Sequence, residues 1–517
     1  MNRLLARHAL AGALFAPLAA ICGCTVLRPP SPLPALTREQ RTRTFTRDEA
    51  AADLDSLLAL LEEIHPNPYT IVSRDSMHRL ERAIVADLPE HVSRLTLSIP
   101  AQRLFSAVGD AHTTIYPPSE ELNFALAAGR TSLPFGVVGT EVGWTVGASI
   151  DTLLHSGDQL VRINGHDVDS LAGDFALEVP AELAAWRTAR IAGSFATRLW
   201  AHGVRAPYLI DVRRAVGGLV SVTVPGASKT QLDSLRAVRA TSAPSRAGIT
   251  YRALGGRVAY LDFQSMEAPV DLFAHVVDSL FDRVNADSSI GVIVDLRGNG
   301  GGNSALGDRL LSYVTNRNYV AGIRKDWKMS KRYRAYFASQ VTPWIRWLPF
   351  SWLGPQGHRL FGPPDGTIVS LTLGDSIRPG SNARRIARPF CVLIGPGTFS
   401  SAMLLANEIK QSRLGTLIGE PTGEAPNSFG EAYAFRLGLS GLQGQISSAA
   451  FILDADPAAR AHGVLPDVVV TRTVADVAAG RDPALDRARQ CAAREIIGAI
   501  EPSRGMIYRR SPLHYRR

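Results

Sequence analysis

A chain of 517 residues is longer than one hydrophobic core ordinarily serves, and such a length predicts roughly two to four domains. Its 45% hydrophobic and 20% charged residues belong to a folded globular protein and exclude a disordered or collagen-like chain. The formal net charge of +9 is moderately basic, but no dense Lys/Arg run with interleaved aromatics tracks a phosphate backbone, so no nucleic-acid partner is expected.

Arg3 and Arg7 precede the apolar segment Ala9 to Ile21, which is too short to span a bilayer and suits a signal-peptide core. The residues "ICGC" (Ile21 to Cys24) resemble a bacterial lipobox, predicting cleavage before Cys24, lipidation of Cys24 and loss of Cys22. Residues 1–24 are then a lipoprotein-type signal peptide. Residues 25–45 are a tether containing the Pro-rich "RPPSPLPALT" (Arg28 to Thr37). The expected location is the bacterial cell envelope, lipid-anchored and facing the periplasm; Thr25 gives no inner-membrane retention signal, which favours the outer membrane. Ordinary secretion with cleavage nearby is the alternative. Cys391 and Cys491 remain in the mature chain, in a compartment that permits disulfides, and sequence does not decide whether they pair.

From Thr46 to about Ile84, Leu54, Leu57, Leu58, Leu61 and Ile64 recur at helical spacing, and Leu80, Ile84 and Leu88 continue it, so residues 46–128 read as a helical N-terminal domain. "FSAVGDAHTTIYPP" (Phe105 to Pro118) follows as a loop and a short β-like segment, with His112 at the turn. Between 129 and 228 short β-like runs dominate. "GDQLVRINGHDV" (Gly157 to Val168) is a strand closed by an Asn-Gly hairpin turn, and it resembles an element of PDZ domains, which bind peptides by strand addition.

Beyond a Ser/Thr/Ala-rich link, residues 245–475 alternate strand and helix, implying parallel β-structure with crossover helices. The strands are "RVAYLDF" (Arg257 to Phe263), "IGVIVDL" (Ile290 to Leu296) and "FCVLIG" (Phe390 to Gly395). The helices include "SALGDRLLSYV" (Ser304 to Val314) and "SAMLLANEIK" (Ser401 to Lys410). Sites in such sheets gather at the carboxyl ends of strands, and the Gly-rich turns "DLRGNGGGN" (Asp295 to Asn303) and "GPGTFSS" (Gly395 to Ser401) emerge there. Neither holds the lysine of a P-loop or the spacing of a dinucleotide fingerprint, so no nucleotide cofactor is expected. Unobstructed amides near a helix start suit a developing oxyanion instead. Ser400, at a strand-to-helix junction, also fits a plain helix cap.

"VIVDLRGNGGGN", "GPGTFSSA", "GEPTGEAPNSFGE" (Gly419 to Glu431), "HGVLPDVVV" (His462 to Val470), "HPNPY" (His65 to Tyr69) and "GDAHTTI" (Gly109 to Ile115) together resemble the C-terminal-processing and tricorn-core family of serine peptidases. The resemblance, running from about Thr46 to Val470, implies an α/β fold: a ClpP/crotonase-like core, an N-terminal helical domain and an inserted PDZ-like β domain. It also implies hydrolysis of peptide bonds in exported or unfolded proteins. The motif Thr-x-Ser places the nucleophile on Ser400. The oxyanion hole falls to the amide of Ser401 and one from Gly300 to Gly302, with Gly300 and Gly301 foremost.

A serine needs a base. The lysine-base branch of the family has a lysine about where Ala425 stands, so the histidine-base branch is implied, with His112 as general base. That branch's orienting glutamate is replaced here by Arg460. Asp454, Asp456 and Glu424 are the candidate acids, with Glu431 behind them. Asp295 and Arg297 are expected to pair and shape the Gly-rich loop. No pair of histidines has the spacing of a helical zinc site, so no metal is expected.

The expected activity is that of a serine endopeptidase, with a polypeptide substrate and a membrane reached through the lipid anchor. Arg460 motivates the alternative of a catalytically impaired peptide- or ligand-binding lipoprotein, and a third reading is an esterase. The basic and aromatic insertion 324–362 reads as a locally packed insertion, with a lid or membrane patch as alternatives, and 476–517 as a tail with a helix through Ala484 to Ile500. Sequence says nothing of oligomeric state.

Overall fold

The computed structural model describes residues 36–214, 217–239, 245–340, 362–374 and 376–493. The signal segment, Cys24 and most of the tether lie outside these residues, as do the tryptophans of 341–361. The tether's last residues are folded: Thr37 closes a capping box over the helix Arg38–Thr42, and Leu36 and Phe45 are buried.

The amino-terminal helices Arg47–Ile64 and Arg74–Asp87 are separated by the "HPNPY" motif. Thr46 and Glu49 form a capping box on the first, and Pro66 ends it by holding His65 in extended backbone. Helix Arg94–Ser106 then leads into the loop carrying His112. The buried leucines of these helices share one core with Met329, Tyr333, Phe435, Leu437, Leu442 and Ile446. The helical region is thus a layer on a sheet with strand order Ile368–Thr372, Arg324–Lys328, Gln443–Ile452, Asn427–Arg436. A short strand, Thr114–Ile115, pairs with Gln443–Ile452 and ties the His112 loop to this sheet.

The central sheet has six strands in the order Ile249–Leu254, Val258–Phe263, Gly291–Asp295, Phe390–Ile394, Thr416–Gly419, Val468–Val469. The first pair is antiparallel and the rest are parallel, as strand-helix alternation implies. Period-two alternation gives the sheet two buried faces. Val292 and Val294 pack with helices Val270–Ala286, Ala305–Val314 and Ser401–Ser412, whereas Ile293, Cys391 and Leu393 meet Ala484, Ala488 and Ala492 of the helix Pro483–Ala492. A Cys391–Cys491 disulfide joins that helix to the sheet. The tail helix expected to run to Ile500 is described only to Ala492, and residues from 494 lie outside the described part.

The inserted module has its own core and an antiparallel sheet with strand order Phe135–Thr140, Gly143–Ser149, Gln159–Ile163, Tyr208–Arg213, Leu219–Val224. Asn164 and Gly165, both at positive φ, make the hairpin turn expected from their sequence. The structure adds two helices, Val168–Ala176 and Ala184–Ala201, to a region whose sequence is dominated by short β-like runs. Within the insertion after Gly322, Arg324–Lys328 is a strand and Lys331–Gln340 a helix, and local packing holds them: Trp327 Nε1 donates to Glu431 at 3.0 Å and Tyr333 to the same carboxylate at 3.2 Å.

Candidate active site

Ser400 ends the turn after strand Phe390–Ile394 and occupies the N-cap position of helix Ser401–Ser412, but its hydroxyl makes no capping bond. Its backbone has φ 51° and ψ −127°, a conformation that costs a non-glycine residue about 1–3 kcal/mol unless its surroundings hold it. They do. The Ser400 amide donates to Glu424 Oε2 at 2.5 Å, the Phe399 amide donates to the Asn299 carbonyl at 3.0 Å, and Thr398 Oγ1 donates to the Leu296 carbonyl at 2.8 Å. The hydroxyl, which caps no amide among the described residues, stands at the start of a helix, where the partial positive charge favours an oxyanion.

The Gly-rich loop lies against this turn. A Cβ on Gly301, whose φ is +95°, would stand 2.7 Å from Ser400 Cβ and 2.8 Å from the Ser401 nitrogen, so only glycine permits the approach. The Gly301 amide is committed to Asn299 Oδ1 at 2.9 Å, and the Ser401 hydroxyl donates to the Gly302 carbonyl at 2.6 Å. The amides of Gly300 and Ser401 therefore fit an oxyanion hole better than that of Gly301. Asp295 and Arg297 do pair, at 2.6 Å, and Arg297 also grips Asp482, the cap of the helix Pro483–Ala492. Burial disfavours the guanidinium charge, but the hydrogen bonds from Asp295 and Asp482 outweigh it and raise the Arg297 pKa.

His112 is brought in by the loop between helix Arg94–Ser106 and strand Thr114–Ile115. Asp110 organises that loop: it accepts the His112 amide at 2.9 Å, Thr113 Oγ1 at 2.5 Å, Ser447 Oγ at 2.6 Å and, at 3.2 Å, His65 Nε2. His65 Nδ1 accepts the Asn67 amide, so its proton is on Nε2 and points at Asp110. Burial opposes the Asp110 charge, but the hydrogen bonds from His65 and Ser447 hold its carboxyl well below the usual range.

The His112 ring is buried and stacked on Phe399 with centroids 4.4 Å apart. Glu424 Oε1 is 3.7 Å from His112 Nδ1 and accepts the Ser428 hydroxyl at 2.7 Å. One carboxylate thus faces the imidazole with one oxygen and holds the Ser400 backbone with the other. Burial pushes the Glu424 carboxyl up, against the pull of His112, Ser428 and the Ser400 amide.

The other candidate acids are occupied elsewhere. Asp454 accepts Gln411 Nε2, Asp456 caps the 3-10 turn Pro457–Arg460, and Arg460 is exposed on that turn. Glu431 takes Trp327 and Tyr333. Sequence reasoning gave no role to Asp110 and His65, although both lie in quoted motifs, nor to Glu182, whose Oε2 accepts the Ala111 amide at 3.1 Å. Burial, with the charges of Asp110 and Glu424, pushes the Glu182 carboxyl well above the usual range.

The model of peptidase family S41 matches residues 257–470. The fold is similar to those of a CPAF mutant (16% identity, TM-score 0.60, covering 88% of this chain and 99% of that one) and of mature CPAF (14%, 0.58, 88% and 99%). It is also similar to mature CPAF complexed with lactacystin (14%, 0.57, 87% and 98%). No curated protein matches the chain. The matched segment contains Ser400, the Gly-rich loop and Glu424, and over that segment the chain carries a domain of peptidase family S41, a family of serine-type peptidases.

Proposed function

We propose that the chain is a cell-envelope endopeptidase that cleaves exported or unfolded polypeptides through an acyl-enzyme on Ser400, with His112 as general base and Glu424 as the orienting acid. The observation that carries this reading is the single carboxylate of Glu424, bonded to the Ser400 amide and facing His112 Nδ1. A proton on Nδ1 is favoured by that carboxylate, leaving Nε2 as the acceptor. His112 takes the Ser400 Oγ proton as Oγ attacks the scissile carbonyl, and the oxyanion is received by the amides of Ser401 and Gly300. The intermediate collapses to the ester as His112 protonates the leaving amine. Water, deprotonated by His112, then releases the acid and restores Ser400. The 3.7 Å separation of Glu424 and His112 is the loose geometry of a resting site, which tightens around substrate.

The inserted module is PDZ-like in this reading and delivers an extended chain by strand addition. Placement in the envelope on a lipid-modified Cys24 is supported by the "ICGC" box and is compatible with the Cys391–Cys491 bridge. The test is hydrolysis of an unfolded protein such as casein. Activity lost in both Ser400→Ala and His112→Ala is expected, and activity retained in either variant overturns the assignment.

A further inference from the structure

We propose that Glu182 and Trp186, both contributed by the inserted β module, are positioning residues for the catalytic base. The inference rests on the reading of His112 as the base. Ala111, Ala181, Trp186 and Phe399 form a small buried apolar cluster apart from the main cores, built from the His112 loop, the inserted module and the nucleophile turn. Phe399 stands at its centre. Trp186 stacks on it at 3.9 Å and 10°, and His112 stacks on it at 4.4 Å and 29°. Two rings this close and this nearly parallel to a third must occupy its opposite faces, so Phe399 is held between the module's indole and the imidazole. Arg190 caps the column, 5.3 Å from the Trp186 ring.

Neither His112 nitrogen has a hydrogen-bond partner among the described residues, so the stack and the hydrogen bonds of its backbone fix the ring. Here the module acts a second time: Glu182 accepts the amide of Ala111, the residue before His112. Gly423, beside Glu424, makes room for the indole, since a Cβ there would stand 2.9 Å from Trp186 Cε3. The module therefore touches the residue before the base, the residue before the nucleophile and the residue before the orienting acid. Withdrawing it removes one side of each.

The test is the kinetics of fluorophosphonate labelling of the full chain, separated into probe affinity, maximal labelling rate and labelled fraction. Trp186→Ala and Glu182→Ala are expected to lower the maximal rate about 10²-fold, the effect of a misplacement of about 1 Å. Affinity and labelled fraction stay unchanged, and Trp186→Phe and Glu182→Gln, which keep a ring and an acceptor, recover most of the rate. A purely structural role would lower the labelled fraction instead, and that outcome, or wild-type rates in both alanine variants, overturns the proposal. The two readings fail differently. Wild-type labelling of His112→Ala removes the base assignment and this inference with it, whereas slow labelling of His112→Ala beside normal rates in the module variants removes the inference alone.

Discussion

Glu424 Oε1 lies 3.7 Å from His112 Nδ1, a contact between residues 312 positions apart. It places a buried carboxylate where, in the proposed mechanism, an imidazolium at His112 needs one. Glu424→Gln is expected to lower the turnover rate by about 10²- to 10⁴-fold with little change in KM, as loss of an orienting acid does. Because burial raises the Glu424 pKa above 4.5, this carboxylate is neutralised at a higher pH than an exposed glutamate. The acidic limb of the wild-type rate profile should therefore contain a second protonation that is missing in Glu424→Gln, as steady-state kinetics against pH will show.

Asp110 is fully buried and takes hydrogen bonds from His65, Thr113, Ser447 and the His112 backbone. Its pKa is depressed below 3.8, so its stabilising contribution is present above that value and is lost as pH falls through the folded-state pKa. Asp110→Asn should lose about 3–5 kcal/mol at neutral pH, the cost of stranding a buried partner, and its stability should fall less steeply in acid than that of the wild type. Urea unfolding at several pH values measures both.

Gly301→Ala would press a methyl group onto Ser400 Cβ and the Ser401 amide, at a backbone φ of +95°. Activity should fall by about 10²-fold or more while the far-ultraviolet spectrum is unchanged, because the displaced groups are the proposed nucleophile and one proposed oxyanion donor. Gly300→Ala is a useful contrast, since no atom lies within 4 Å of a Cβ there.

The Cys391–Cys491 bridge closes a loop with a sequence separation of 100 and ties helix Pro483–Ala492 to the central sheet. Cys391→Ser with Cys491→Ser is expected to cost about 2–5 kcal/mol of stability. Chemical denaturation of the double variant and the wild type tests this.

The elements around Ser400 were legible because local pattern specifies them: an apolar strand, a Gly-Pro-Gly turn, then helical periodicity. The same holds for the Asn164-Gly165 hairpin. Which carboxylate stands beside His112 is not legible, because Glu424, Glu431, Asp454 and Asp456 lie at similar sequence distances and only the fold turns Glu424 inward. The amino-terminal helices were expected as a domain of their own, yet they share a core with strands Asn427–Arg436 and Gln443–Ile452; periodicity identifies an apolar face but not what covers it. Glu182 and Trp186 lie in a region dominated by short β-like runs, and nothing local to "PAELAAWR" points to a site more than 200 residues ahead.

The central claim is that His112 activates Ser400, and the most direct measurement is mass-spectrometric mapping of a fluorophosphonate adduct on the full chain. The account predicts one adduct, on Ser400, formed rapidly by the wild type and at least about 10³-fold more slowly by His112→Ala. An adduct on another residue, or equal rates in the two proteins, would contradict it.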